Sequence, residues 1–163
     1  MSDAASGFTS VTYPFPVIRM ADLYLMYAEA LNEKGEDYAT VLPWIDMVRE
    51  RSGLQGVKES WDQYVGNSKY ATQTGLRQII MQERRIELAF EGHYFWDVRR
   101  WKTATTELTQ PLTGWKVRYG ETDVDYYSEN LVLVRDFTPV MYFWPIDIGE
   151  LRKDPNLVQN YGW

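Results

Sequence analysis

The chain has 163 residues, of which 45% are hydrophobic, enough for one domain with a sizeable core and short for two. Seventeen basic against 23 acidic residues, net charge −6, argue against duplex nucleic acid, whose affinity comes largely from neutralising phosphates. The absence of cysteine removes disulfide frameworks, thiol nucleophiles and Cys-based zinc sites, leaving the compartment open.

Residues 1–16 are small, polar and bounded by Pro14 and Pro16, and they read as an extended lead-in with no basic or apolar signal-peptide region. From Val17 the pattern turns helical: Ile18, Ala21, Leu25, Ala28 and Leu31 recur every three or four positions, and Gly35 closes the helix. A second helix is expected over 39–52, with Val41, Trp44, Ile45 and Val48 on one face. Pro43 places its regular part near Leu42. So short a turn implies antiparallel packing. The spacing of Ala28, Gly35 and Ala39 over about 34 residues resembles one tetratricopeptide repeat. A lone repeat cannot bury its own face, and the nearly all-apolar run Leu23–Tyr27 predicts a helix that needs cover on more than one side.

Residues 54–74 read as a polar loop carrying Trp61, Tyr64 and Tyr70. A long helix comes next over 76–90, with Leu76, Ile79, Ile80, Ile86 and Phe90 apolar, and after Gly92 the helical pattern resumes through Phe95, Val98 and Trp101. Residues 103–138 read as a hairpin-like insertion, with 115–119 and 131–134 as short strands and 140–144 beside them. The tail is punctuated by Pro and Asn and is expected in turns. The fold class is therefore mainly α, tetratricopeptide-like hairpins with a short β-hairpin and an irregular C-terminal tail, in a single domain over 1–163.

Seven tryptophans and twelve tyrosines exceed what one such core needs. Tyr24, Trp44, Phe90, Phe95, Trp96 and Trp101 lie in helical stripes and are expected to pack. Trp61, Tyr64, Tyr70, Trp115, Tyr119, Tyr126 and Tyr127 lie in loop-like sequence, where packing and ligand contact both remain open.

The most informative segment is QERRIELAFEGHYFWDVRRWK, residues 82–102. Glu83, Glu87 and Glu91 share one helical stripe, surrounded by Arg84, Arg85, Arg99, Arg100 and Asp97. Paired carboxylates can act as general acid and base. Arginines within reach favour the ionised form, which disarms a general acid. These eight residues are expected to form a structural salt-bridge lattice.

That run resembles the signature of the SusD/RagB family, a segment close to ERR-EL-FEG-R-FDLRRW, which here reads ERRIELAFEGHYFWDVRRW. Three further pieces agree in order. IRMADLYLMYAEALNEKG is similar to the family's Ala-Glu-bearing helix, VRERSGL to its V-R-x-R-x-G-L, and YFWPIDIGELRKDPNLVQNYGW to its closing pattern. His93 and Tyr94 stand where an arginine often follows Glu-Gly. The resemblance covers the C-terminal part of a family whose members run to several hundred residues, which implies a fragment of a longer chain. It implies a non-catalytic, cofactor-free lipoprotein, lipid-anchored at the outer-membrane surface. Its partners would be an oligosaccharide or polysaccharide and a SusC-like TonB-dependent transporter.

Two other readings stand beside it: a helical-repeat interaction module without a small-molecule site, and, more weakly, a hydrolase. The single histidine, His93, is no metal cluster. The acidic stretch 121–130 lacks the Gly and bidentate Glu of an EF-hand and reads as a solvated loop. Phosphate-cradling Gly-rich loops and Gly-x-Ser-x-Gly elbows are absent from the sequence.

Overall fold

The computed structural model describes residues 16–116 and 121–163, so the lead-in before Pro16 and the expected strand residues 117–119 lie outside the described residues. The described chain is mainly helical with one two-stranded sheet. It falls into two units parted between Glu91 and Gly92.

In the first unit, α1 (Met20–Lys34) begins three residues later than expected. Arg19 stands extended at the N-cap because its guanidinium is drawn to Glu87 and Glu91, and Val17 and Ile18 remain exposed. The helix closes at left-handed Gly35, with the N–H groups of Gly35 and Glu36 donating to the carbonyls of Asn32 and Leu31. Helix α2 (Tyr38–Arg51) starts earlier than the proline suggested. The Asp37 carboxylate accepts from the Ala39 N–H and nucleates the first turn, leaving Pro43 in the second. Pro43 deprives the Ala39 carbonyl of its usual partner but sits on the exposed face, where water can replace it.

The segment expected as a loop is helical. It forms α3 (Val57–Ser60), a wide π-type turn over Trp61–Val65 and a 3-10 turn over Lys69–Ala71. Val57 and Tyr70 are buried, and the Val57 N–H donates to Asp46 Oδ1 at 2.7 Å. Two anchors suffice to order a stretch that is polar on average.

Helix α4 (Gln73–Glu87) is capped by Thr72, whose hydroxyl accepts from the Gly75 N–H at 3.1 Å. It stops before Phe90, which takes a left-handed backbone (φ 66°) with its ring in solvent; Ile86 is also exposed and Leu88 is buried. The core joins Leu25 and Ala28 of α1, Val41, Ile45 and Val48 of α2, and Leu76, Ile79 and Ile80 of α4, with Tyr24, Trp44 and Trp61 at its margin. Asn32 Nδ2 donates to the Gln73 carbonyl and Gln73 Nε2 to the Asn32 carbonyl, tying the end of α1 to the start of α4.

In the second unit, α5 (His93–Arg100) and α6 (Ala104–Glu107) enclose a small core of Val98, Ala104 and Phe137. Strand β1 (Leu112–Trp115) pairs antiparallel with β2 (Glu129–Leu133), Trp115 opposite Glu129. Both strands lie somewhat earlier than expected. A short α7 (Asp123–Tyr126) lies between them. Residues 140–144 form no third strand: Pro139–Tyr142 is a 3-10 turn with proline in its opening turn, where no N–H is required. Beyond α8 (Ile148–Lys153) the tail is held by side-chain amides. Gln159 Nε2 donates to the Ile146 carbonyl and Gln159 Oε1 accepts from the Ile146 N–H; Asn160 Nδ2 donates to the Trp144 carbonyl.

Two variants test this packing. A Cβ on Gly75 would stand 2.1 Å from the Lys69 carbonyl oxygen. Gly75→Ala is therefore expected to lower the urea midpoint, although alanine is the better helix former by about 1 kcal/mol. Burial pushes the Asp46 carboxyl above its usual range, outweighing the hydrogen bond from Val57 and the charge of Arg49. A raised carboxyl favours the fold at low pH and opposes it as pH rises past the unfolded value. Asp46→Asn keeps the acceptor for Val57, so its stability relative to wild type is expected to improve from acid to neutral pH. Melting curves parallel at all pH values would contradict that.

Candidate functional site

The acidic stripe of α4 faces cations from α2 and from the start of α1. Glu83 pairs with Arg49, whose Nε also donates to the Gln55 carbonyl. Glu87 accepts from Arg51 at 2.7 Å and from Arg19 at 2.8 Å. Arg19 grips Glu91 side-on through Nε (2.9 Å) and Nη2 (2.7 Å), and Nη2 also reaches the Glu87 carbonyl at the end of α4. These bonds, Glu91 first and Glu87 second, hold the Arg19 guanidinium above even its ordinary range. Arg84, pointing the other way, meets Asp22 of α1 at 2.9 Å and is buried. Arg85 has partners as well. In the second unit Asp97 is buried and pairs with Arg100.

Arg99 departs from the expected lattice. Its Nη1 donates to the Met141 carbonyl at 2.5 Å, and its guanidinium lies 4.2 Å from the Phe95 ring, 5.0 Å from Phe137 and 5.9 Å from Trp144. Aromatic faces, in place of a carboxylate, receive this cation.

The loop aromatics separate. Tyr70 is 5% exposed, edge-on to Tyr38 at 5.5 Å, and its hydroxyl donates to Asp62, which raises the phenol above its usual range. It is a core residue. Trp61 packs against the same core and takes Lys69 over its ring, whereas Tyr64 is exposed. The three share no platform. On the β-hairpin, by contrast, Trp115 (60% exposed) stands 5.3 Å from Tyr127, and Tyr127 5.0 Å from Tyr126, both pairs edge-to-face. Tyr119 lies outside the described residues. Among the helix-stripe aromatics, Trp96 is exposed like Phe90, because the short α5 has only Asp97 and Val98 buried.

A second aromatic surface escaped the sequence reading. Met141, Phe143, Trp144, Pro145, Trp163 and Arg99 line a cleft of about 350 Å³ in the second unit. Trp163 Nε1 donates to the Phe143 carbonyl at 3.0 Å, which sets the terminal ring beside Trp144. The sequence signal was the YFWP run before α8 and the closing GW after it. Their meeting depends on the amide clasp.

Among the described residues no group of three His, Cys, Asp or Glu side chains is placed to hold a metal ion. No helix there is long and apolar enough to cross a membrane. The chemistry on offer is stacking, hydrogen bonding and charge pairing.

Compared with known families, residues 2–163 match the SusD family. The chain is similar to a SusD-like protein of Formosa agariphila, 39% identical over 144 residues, which are 88% of this chain and 23% of that one. It is similar in structure to a SusD-like carbohydrate binding protein of Bacteroides fragilis, with TM-score 0.69 and 32% identity, over 88% of this chain and 28% of that one. A second SusD-like structure from the same organism agrees with TM-score 0.69 and 30% identity, over 88% and 25% of the two chains. The chain spans about a quarter of the length of these relatives.

The charge pairs predict an order of sensitivity. Glu83 and Glu87 side chains are 13% and 11% exposed, and removing either leaves guanidinium groups in partly buried surroundings. Glu83→Ala and Glu87→Ala are each expected to cost about 3 kcal/mol. Arg51, 61% exposed, should cost less than about 1 kcal/mol when truncated. Equal urea midpoints for all three would deny the stripe structural weight.

Proposed function

The chain belongs to the SusD family, and from that premise we propose that it contributes to a non-catalytic glycan-binding protein of the outer-membrane surface. That protein passes its ligand to a TonB-dependent transporter. The observation that carries the reading is the Trp115–Tyr127–Tyr126 cluster, three adjoining rings on the hairpin with Trp115 and Tyr127 mostly in solvent. Ring faces of this kind stack on the apolar faces of pyranoses, and nearby Asp123 and Glu129 supply acceptors for sugar hydroxyls. The description of a Bacteroides fragilis relative as carbohydrate binding supports it. The pairing of Glu83, Glu87 and Glu91 with arginines speaks for a binding role over hydrolysis. Surface location and the transporter rest on the family resemblance.

A second reading draws on α1, whose Leu23, Met26 and Tyr27 are each more than two-fifths exposed, a face suited to another helical hairpin. It makes the chain an interaction module without a sugar site. Affinity gels over a panel of polysaccharides separate the two. Glycan retardation, with Trp115→Ala and Tyr127→Ala each weakening it about tenfold, is the expected result; a tenfold loss is 1.4 kcal/mol, the scale of one aromatic contact. Unchanged retardation in both variants would remove the hairpin from the site. Retardation by no polysaccharide would favour the interaction module.

A further inference from the structure

Arg99 is a cation with an unmet edge. Phe95, Phe137 and Trp144 gather around the guanidinium, so its remaining interactions are in its own plane. Among the described residues only its Nη1 has an acceptor, the Met141 carbonyl, and Nε is buried with none. Elsewhere in this molecule the Nε–Nη2 edge is what holds a carboxylate: Arg19 takes Glu91 at 2.9 and 2.7 Å, and Arg77 takes Glu33 at 2.5 and 2.6 Å. At Arg99 the same fork meets no carboxylate among the described residues, and the residue lines the cleft formed with Trp144 and Trp163.

We propose that this cleft binds an acidic sugar, the carboxylate of a uronic acid residue engaging Arg99 while Trp144 and Trp163 supply stacking faces. Two exposed indoles around a forked cation match a ring that is apolar on its face and anionic at one edge. Trp144 is the farthest of the three rings from the Arg99 guanidinium and is 64% exposed, so its face is open to a sugar seated in the cleft. The chain as a whole carries net charge −6 and does not attract acidic polymers. Selection for a uronate must therefore be local to Arg99. The inference rests on the glycan-binding reading and names a ligand class within it, at a site distinct from the hairpin rings.

The test is calorimetric titration of the 163-residue chain with an oligogalacturonide and with its fully methyl-esterified form, which has the same rings and no charge. The free acid is expected to bind at least tenfold tighter. Arg99→Gln should erase that difference, and Arg99→Lys should reduce it, since an ammonium keeps the charge and loses the fork. Thermal melts show whether either variant is folded; if neither is, the wild-type comparison of acid and ester decides alone. Equal affinity for both forms overturns the acidic-sugar site and leaves the glycan reading standing. So does binding of neither while a neutral polysaccharide is retarded in the affinity gels. Binding of no glycan of either charge overturns both.

Discussion

Glu83 and Glu87 on one side of α4, and Glu91 just beyond its end, each meet a cation from another helix or its cap, and that pairing sets the register of the first unit. Arg49 and Arg51 leave the last turn of α2 for Glu83 and Glu87, and Arg19 reaches from the start of α1 to Glu87 and Glu91. Asp22 and Arg84 run the opposite polarity between α1 and α4. Sliding α4 by one turn would bring Ile80 or Leu88 to the place of Arg84 and leave the buried Asp22 without its cation. Such pairs contribute little net energy once desolvation is counted; the driving force is the burial of Leu25, Ile45, Leu76 and Ile80 between the helices. Apolar burial makes the unit stable, and charge selects one arrangement of it.

The helices were legible where periodicity and stop signals agreed, as in the run closed by Gly35. They were misplaced where one residue dominated the reading. Pro43 suggested a late start to α2, but the cap at Asp37 outweighs a single lost hydrogen bond. Average polarity hid α3 and the turns after it, because only Val57 and Tyr70 carry their packing. Phe90 fitted the apolar stripe of α4, yet the helix ends before it, and its left-handed backbone carries a steric cost that only tertiary context can sustain.

The binding surfaces were legible in part. Sequence placed Trp115, Tyr126 and Tyr127 in one insertion, and chain proximity is enough to bring them together. It grouped Trp61, Tyr64 and Tyr70 on the same ground, but there a core lies next to the chain and takes up two of the three rings. Arg99 was read by its charge and expected beside a carboxylate. Of its ring neighbours Phe95 is one helical turn away, but Phe137 and Trp144 lie some forty positions on, a proximity that no local pattern records.

In the tail, side-chain amides do the work that backbone pairing does in a sheet, and the substitution carries a chemical weakness. Gln159 works only because one end of its amide donates while the other accepts, and Asn160 must present a donor to the Trp144 carbonyl. Conversion of either amide to the acid keeps the shape almost unchanged and reverses the polarity of one bond, setting an anion against a carbonyl oxygen. Deamidation at either position would therefore loosen the C-terminus and draw Trp163 away from Trp144. At these two amides, chemical ageing and loss of the second aromatic surface would be the same event.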